Sequence, residues 1–150
     1  MHVKDYLNDS GISYSTSHHL PVYSAQGLAA IEHEPGRYVA KPVIVRIDNR
    51  YVMCVLPAHK KVDFGALKRQ LHARAITLAY EQEFATFFPD CELGAEPPFG
   101  HLYHLETVMD QDLDKDDHIV FQAGKHTEAV RMGMDDYRVL ANPCVMKISC

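Results

Sequence analysis

Apolar positions recur along this chain with two periods, one near 3.6 and one of 2, and together they lay out a mixture of helices and strands. Val3 to Asn8 predicts a short helix that Gly11 ends, and Ile12 to Ser17 predicts an extended segment. Ser24 stands as an N-cap before a helix carrying Leu28, Ala29 and Ile31 on one face, with Gly27 tolerated inside it and Pro35-Gly36 stopping it. Tyr38 to Ile47 is β-rich, and Asp48-Asn49-Arg50 turns it into Tyr51 to Leu56, the clearest hairpin in the chain. Alternation puts Val39, Lys41, Val43, Val45 and Ile47 on one face, which leaves Lys41 among apolar neighbours. Pro42 has no N–H to give a ladder, so an edge position or a bulge is expected there.

Asp63 caps a helix with Leu67 and Leu71, Ala75 to Ala79 is extended, and Tyr80 to Phe88 predicts a further helix ended by Pro89. After a glycine- and proline-rich loop come three strands: Thr107 to Met109, His118 to Gln122 and Glu128 to Met132. Asp135 is expected to cap a short helix through Leu140, and Val145 to Ile148 to close the chain as a last strand. Hairpin signals are present and the helix-after-every-strand rhythm of a parallel sheet is missing. The expected class is therefore α+β, a mixed, curled sheet with helices packed around it. No internal repeat, linker or low-complexity segment interrupts residues 1–150, so a single domain is expected.

Composition narrows the function. Nearly half of the 150 residues are apolar, enough to bury a core, and no apolar run approaches the roughly 20 residues of a membrane span. The N-terminus lacks the apolar segment of a signal peptide, which predicts a soluble protein of the cytoplasm with no membrane partner. Cys54, Cys91, Cys144 and Cys150 are scattered and read as reduced structural thiols; Cys91, three residues before Gly94, is the one with a claim to reactivity. The net charge of −5 argues against bulk electrostatic grip on a long nucleic acid. Lys60, Lys61, Lys68, Arg69 and Arg74 still form a local basic cluster, either a solvated helix face or a binding surface.

Ten histidines invite a metal reading, but His18-His19 point to opposite faces of a strand and His101 and His104 lack a matching partner set. No metal or other cofactor is expected. The Gly-x-Ser-x-Gly elbow, the Walker phosphate loop and the dinucleotide glycine fingerprint are all absent.

Two features remain: Lys41, and the loop Gly94-Ala95-Glu96-Pro97-Pro98-Phe99-Gly100. Burying a lysine without a partner is costly, so Lys41 either reaches solvent, pairs with a carboxylate or serves a ligand. The loop is stiff at its prolines and free at its glycines, which suits a rigid turn or a set of backbone N–H groups aimed at an anion. A second glycine turn lies at Gly124-Lys125-His126.

The strand Ala40-Lys41-Pro42-Val43-Ile44-Val45, the Asp63 helix, the Tyr80 to Phe88 segment, the Gly94 to Gly100 loop and Phe121 to His126 resemble, in that order, the YbaK and prolyl-tRNA-synthetase-associated domain family. The resemblance runs from about Ile12 to Leu140, and its specific marks are the single lysine and the Gly-x-x-x-Pro loop, here Gly94 to Pro98. It implies a barrel-like mixed sheet and the trans-editing activity of an aminoacyl-tRNA deacylase, which hydrolyses the ester joining a wrong amino acid to the 3′ end of a tRNA, typically proline tRNA.

By this resemblance Lys41, Gly94, Ala95, Glu96, Pro97 and Pro98 form the catalytic surface. The loop backbone holds the carbonyl or ribose, and Lys41 the phosphate or ribose of the terminal adenosine. Gly124 and His126 lie beside the pocket, His19, Pro21 and Tyr23 form another wall, and Phe99 and Gly100 complete the substrate-binding set. The implied partners are the acceptor end of an aminoacyl-tRNA and a synthetase. Asp90, where many relatives carry glycine, and the paired prolines depart from the family pattern and leave the amino acid unassigned. Two other functions stay open: a non-catalytic aminoacyl- or nucleotide-binding module of the same fold, and a histidine-based metalloenzyme.

Overall fold

A computed structural model describes residues 2–150. Helix α1 (Val3–Asp9) leads into strand β1 (Tyr14–His18), and α2 (Ala25–Ile31) is capped by Ser24, whose hydroxyl accepts from the Gly27 N–H at 3.0 Å. A short 3₁₀ turn at Gly36–Tyr38 precedes the hairpin β2 (Ala40–Ile47) and β3 (Arg50–Pro57). Helix α3 (Phe64–Leu71), capped by Asp63, is followed by β4 (Ile76–Leu78) and by α4 (Glu81–Phe84). Then come β5 (Glu106–Asp110), α5 (Gln111–Asp114), β6 (His118–Gln122), β7 (Glu128–Gly133), α6 (Met134–Ala141) and β8 (Cys144–Met146).

The strands form two sheets, β1-β7-β6 and β4-β2-β3-β5-β8, joined by a parallel bridge between Val39 and Val120. The first is antiparallel throughout; in the second, β5 runs parallel to both β3 and β8. The expected mixed, curled sheet with surrounding helices is thus present, divided in two rather than continuous. Pro42 sits where the chemistry of its ring requires. It pairs with Val55 on one side, while β4 covers β2 only from Val45 to Ile47 on the other, so no ladder partner waits for the missing N–H.

Both faces of the larger sheet are covered. Ile44, Met53 and Val55 pack against Ile119, Phe121 and Val130 of the smaller sheet, and Phe99 and Tyr137 fill the same core. The opposite face buries Val45, Cys54 and Leu56 against Leu67 of α3. Burying Leu67 alone contributes about 2 kcal/mol. A third cluster joins Leu28 of α2 to Val39, Ala58 and Val120 near the bridge between the sheets.

Three expectations about local structure are corrected. The Tyr80 to Phe88 helix is a single α turn followed by a 3₁₀ turn at Ala85–Phe87. The aromatic rings there make separate contacts, Phe87 with Tyr51 and the buried Phe88 with Tyr103, and Phe88, at φ −121° and ψ 64°, leaves the helical region before Pro89, where the proline ring disfavours it. Asp135 does not cap α6; Gly133 holds the N-cap position and Asp135 lies in the first turn, paired with Arg138. The last strand is shifted to Cys144–Met146, because the chain beyond it turns to pair Ser149 with Val62.

Candidate functional site

At the first residues of β2, where the two sheets meet, a cavity of about 200 Å³ opens between α2, the Gly94 loop and β6. Lys41, Gly94, Glu96 and Tyr23 line it, as do Ser24 and Gln122. The first four are among the expected site residues. Ser24 and Gln122 are additions: Ser24 was legible only as a helix cap, and Gln122 only as the end of an apolar strand. Leu28 and Ala40 supply the apolar part of the wall.

Lys41 is half-buried and pairs with no carboxylate among the described residues. Its ammonium donates to the carbonyls of Ala58, at 3.3 Å, and of Lys60. These carbonyls belong to the turn after β3, which also carries Lys61. Burial, and then the charge of Lys61, hold the Lys41 pKa below the ordinary lysine value. An ammonium has three N–H groups, so the two carbonyls leave one for a ligand.

The loop is fixed from inside. Gly94 has φ +91°, a conformation glycine adopts without strain. Its N–H donates to Glu96 Oε1 at 3.1 Å, and the Ala95 N–H to the Glu92 carbonyl at 3.0 Å. The Phe99 N–H bonds the Pro97 carbonyl and the Gly100 N–H bonds Thr107 Oγ1. Pro97 and Pro98 have no N–H. The expected row of N–H groups converging on an anion is therefore not preformed, because the loop's own acceptors take them. Glu96 is buried, and that burial pushes its carboxyl pKa up, against the pull of the Gly94 N–H.

The other expected residues support the loop or fill the core. His126 bridges two segments, Nδ1 at 3.1 Å from the Val22 carbonyl and Nε2 at 2.8 Å from the Leu93 carbonyl, while its ring packs on Tyr23. Gly124 donates its N–H to the Ala95 carbonyl at 2.9 Å and adopts φ +90° with His2, Asp90 and Cys91 close by. Ala95, Pro97 and Pro98 are the buried residues of the loop beside Glu96, Phe99 and Gly100. Two of the expected substrate-binding residues do not line the cavity. Phe99 is fully buried, its ring edge-on to Tyr6, Phe121 and Tyr137, and a Cβ on Gly100 would lie 2.5 Å from Thr107 Oγ1. His19 also stands outside the cavity wall, its Nδ1 against the Leu20 carbonyl; Pro21 does not line the cavity either.

Cys91 has the surroundings of a structural thiol, as expected of all four cysteines. It lies 3.2 Å from the Tyr103 hydroxyl, and burial pushes its pKa up to about 12. Asp90 accepts from the Tyr103 hydroxyl at 3.4 Å and faces a separate, larger cavity of about 760 Å³ that also touches Arg50, Phe87 and His104. None of the expected site residues lines that cavity, so its size alone does not make it the functional one. Among the described residues no three His, Cys, Asp or Glu side chains converge as a metal site would require.

The model of the aminoacyl-tRNA editing domain family matches residues 19–140. The chain belongs to that family. Solved structures agree in fold: a hypothetical protein superposes with a TM-score of 0.88 at 16% identity, over 99% of both chains. A candidate trans-editing enzyme for prolyl-tRNA synthetase superposes with a TM-score of 0.84 at 16% identity, over 99% of this chain and 94% of that one. A candidate signal transduction protein from Marinobacter aquaeolei matches with a TM-score of 0.75 at 17% identity, and there the fold occupies 30% of a longer chain. A search of curated proteins finds no match. No helix among the described residues is long and apolar enough to cross a membrane.

Proposed function

We propose that this protein is an aminoacyl-tRNA deacylase that acts in trans on proline tRNA carrying a small wrong residue such as alanine, cysteine or serine. The observation that carries the reading is the meeting of Lys41, Gly94 and Glu96 at one small cavity in a chain of the editing family. Water attacks the ester carbonyl carbon, the bond to the ribose oxygen breaks, and the amino acid leaves with the terminal hydroxyl of the tRNA restored. An activated ester asks mainly for positioning and charge stabilisation.

The third N–H of Lys41 is directed to the phosphate or ribose of the terminal adenosine, with Lys60 and Lys61 adding positive charge on the same turn. The Gly94 N–H serves the ester once the Glu96 side chain, its present partner, turns away. In this reading His126 and Gly124 are positioning residues that hold the loop. Residues 1–150 act as one editing domain in the cytoplasm, alone or beside a synthetase.

The test is incubation with a panel of mischarged proline tRNAs. Ester loss above the buffer rate is expected on at least one small-residue member, and no loss on any member overturns the proposal. The internally bonded N–H groups of the loop favour a second reading, a module that binds the aminoacyl end without hydrolysing it. Retention of the charged tRNA with no ester loss would select that reading.

A further inference from the structure

Glu96 and Gln122 stand on one cavity, and both are 7% exposed. Gln122 is held by its amide, whose Nε2 donates to the Val22 carbonyl at 3.3 Å. Its Oε1 is buried and has no hydrogen-bond partner among the described residues. The Glu96 carboxylate accepts the Gly94 N–H, and no lysine, arginine or histidine forms an ion pair with it among the described residues. Lys41, the cation on the same cavity, is bonded to backbone carbonyls instead.

Buried acceptors without donors are unfavourable, and an unpaired carboxylate more so than an amide oxygen. An unpartnered amide oxygen, and a carboxylate with an N–H donor but no ion pair, on two residues that line a cavity of about 200 Å³ describe a place completed by a cationic donor that arrives with the ligand. An aminoacyl ester carries such a group, an ammonium one carbon from the ester carbonyl. We infer that Glu96 and Gln122 receive the α-ammonium of the aminoacyl group, and so select esters with a free amino group over N-acylated or peptidyl esters. The inference rests on the cavity being an aminoacyl-ester site. Glu96 supplies the charge and Gln122 the neutral acceptor. An N-acylated ester offers a neutral amide with one N–H, and its acyl group competes for a small space.

The probe is a pair of non-hydrolysable analogues, 3′-alanylamino-3′-deoxyadenosine and its N-acetyl form, titrated calorimetrically into the full chain. Wild type is expected to bind the free-amine form at least about tenfold more tightly. Glu96→Gln is expected to bring that ratio close to one by weakening the free-amine form far more than the N-acetyl form, and Gln122→Met to lower the ratio less. Equal binding of both forms by wild type, no binding of either, or an equal loss for both in Glu96→Gln overturns the inference. The wild-type ratio needs no variant, so a variant that fails to fold does not remove the test. Hydrolysis of alanyl-tRNA and N-acetylalanyl-tRNA separates the two readings. A retained binding ratio with no hydrolysis sinks the deacylase reading and leaves the ammonium site standing, whereas equal hydrolysis of both esters does the reverse.

Discussion

The hydroxyl of Tyr137 in α6 donates a 2.7 Å hydrogen bond to the carbonyl of Pro98, tying a helix near the end of the chain to the proline pair of the loop. Both residues are buried, and the Tyr137 ring packs edge-on to Phe99, the next residue of the loop. Tyr137→Phe keeps the ring and removes the donor. The Pro98 carbonyl is then left buried without it, at a cost of about 1–3 kcal/mol. A fall in melting temperature of roughly 2–10 °C is expected by calorimetry. An unchanged melting temperature would mean that the loop is held by its internal bonds alone.

Lys41→Ala removes the cation from the cavity while leaving the core clusters intact. Deacylation of the best mischarged tRNA, measured as kcat/KM, is expected to fall about 100-fold. The charged form is the useful one, and burial and Lys61 lower the pKa of Lys41. The wild-type rate is therefore expected to fall with rising pH before an ordinary lysine would lose its proton. A rate that Lys41→Ala does not change would remove this residue from the site.

Sequence alone carried the local parts of the fold and only part of the site. The β2–β3 hairpin and the Ser24 and Asp63 caps follow from nearest-neighbour chemistry, and they are where alternation and capping placed them. The parallel pairing of β5 with β3 and β8 depends on residues far apart in the chain, which no local pattern encodes. In the site, Lys41 stood out because a charged residue in an apolar row is conspicuous. Gln122 did not, since a polar residue ending a strand is ordinary until the fold leaves its Oε1 buried. Gly100 and Phe99 are the opposite case. They adjoin the loop in sequence, but the chain turns them into the core, where the Gly100 backbone lies too close to Thr107 and Leu105 to admit a Cβ.

The four thiols differ in what surrounds them. Cys54 and Cys91 have pKa values pushed up to about 12, chiefly by burial, whereas Cys144 and Cys150 are exposed. Brief treatment of the folded protein with iodoacetamide near pH 8 is expected to add two labels, both on Cys144 and Cys150, with Cys54 and Cys91 labelled only after denaturation. Intact-mass and peptide mass spectrometry read the outcome. Rapid labelling of Cys91 in the folded state would contradict its confinement against Tyr103.

Asp116 carries the clearest pH signature. Its Oδ2 is buried without a partner, and burial pushes its pKa from 3.8 up to about 6, opposed by Arg37 and His118 and reinforced by Asp117 and Asp112. A carboxyl whose folded pKa is raised favours the folded state below its unfolded pKa, and that contribution is lost as pH rises through the folded value. Ionised Asp116 therefore weakens the fold above about pH 6. Asp116→Asn removes the titration while keeping the shape. Because the side chain as a whole is only partly buried, the gain is about 1 kcal/mol rather than the full value of the shift. The variant is expected to melt roughly 2–4 °C above wild type at pH 8 and to lose that advantage by pH 4, measured by thermal unfolding across the range. An advantage that does not change with pH would show that the amide acts through a new hydrogen bond instead of by removing a charge.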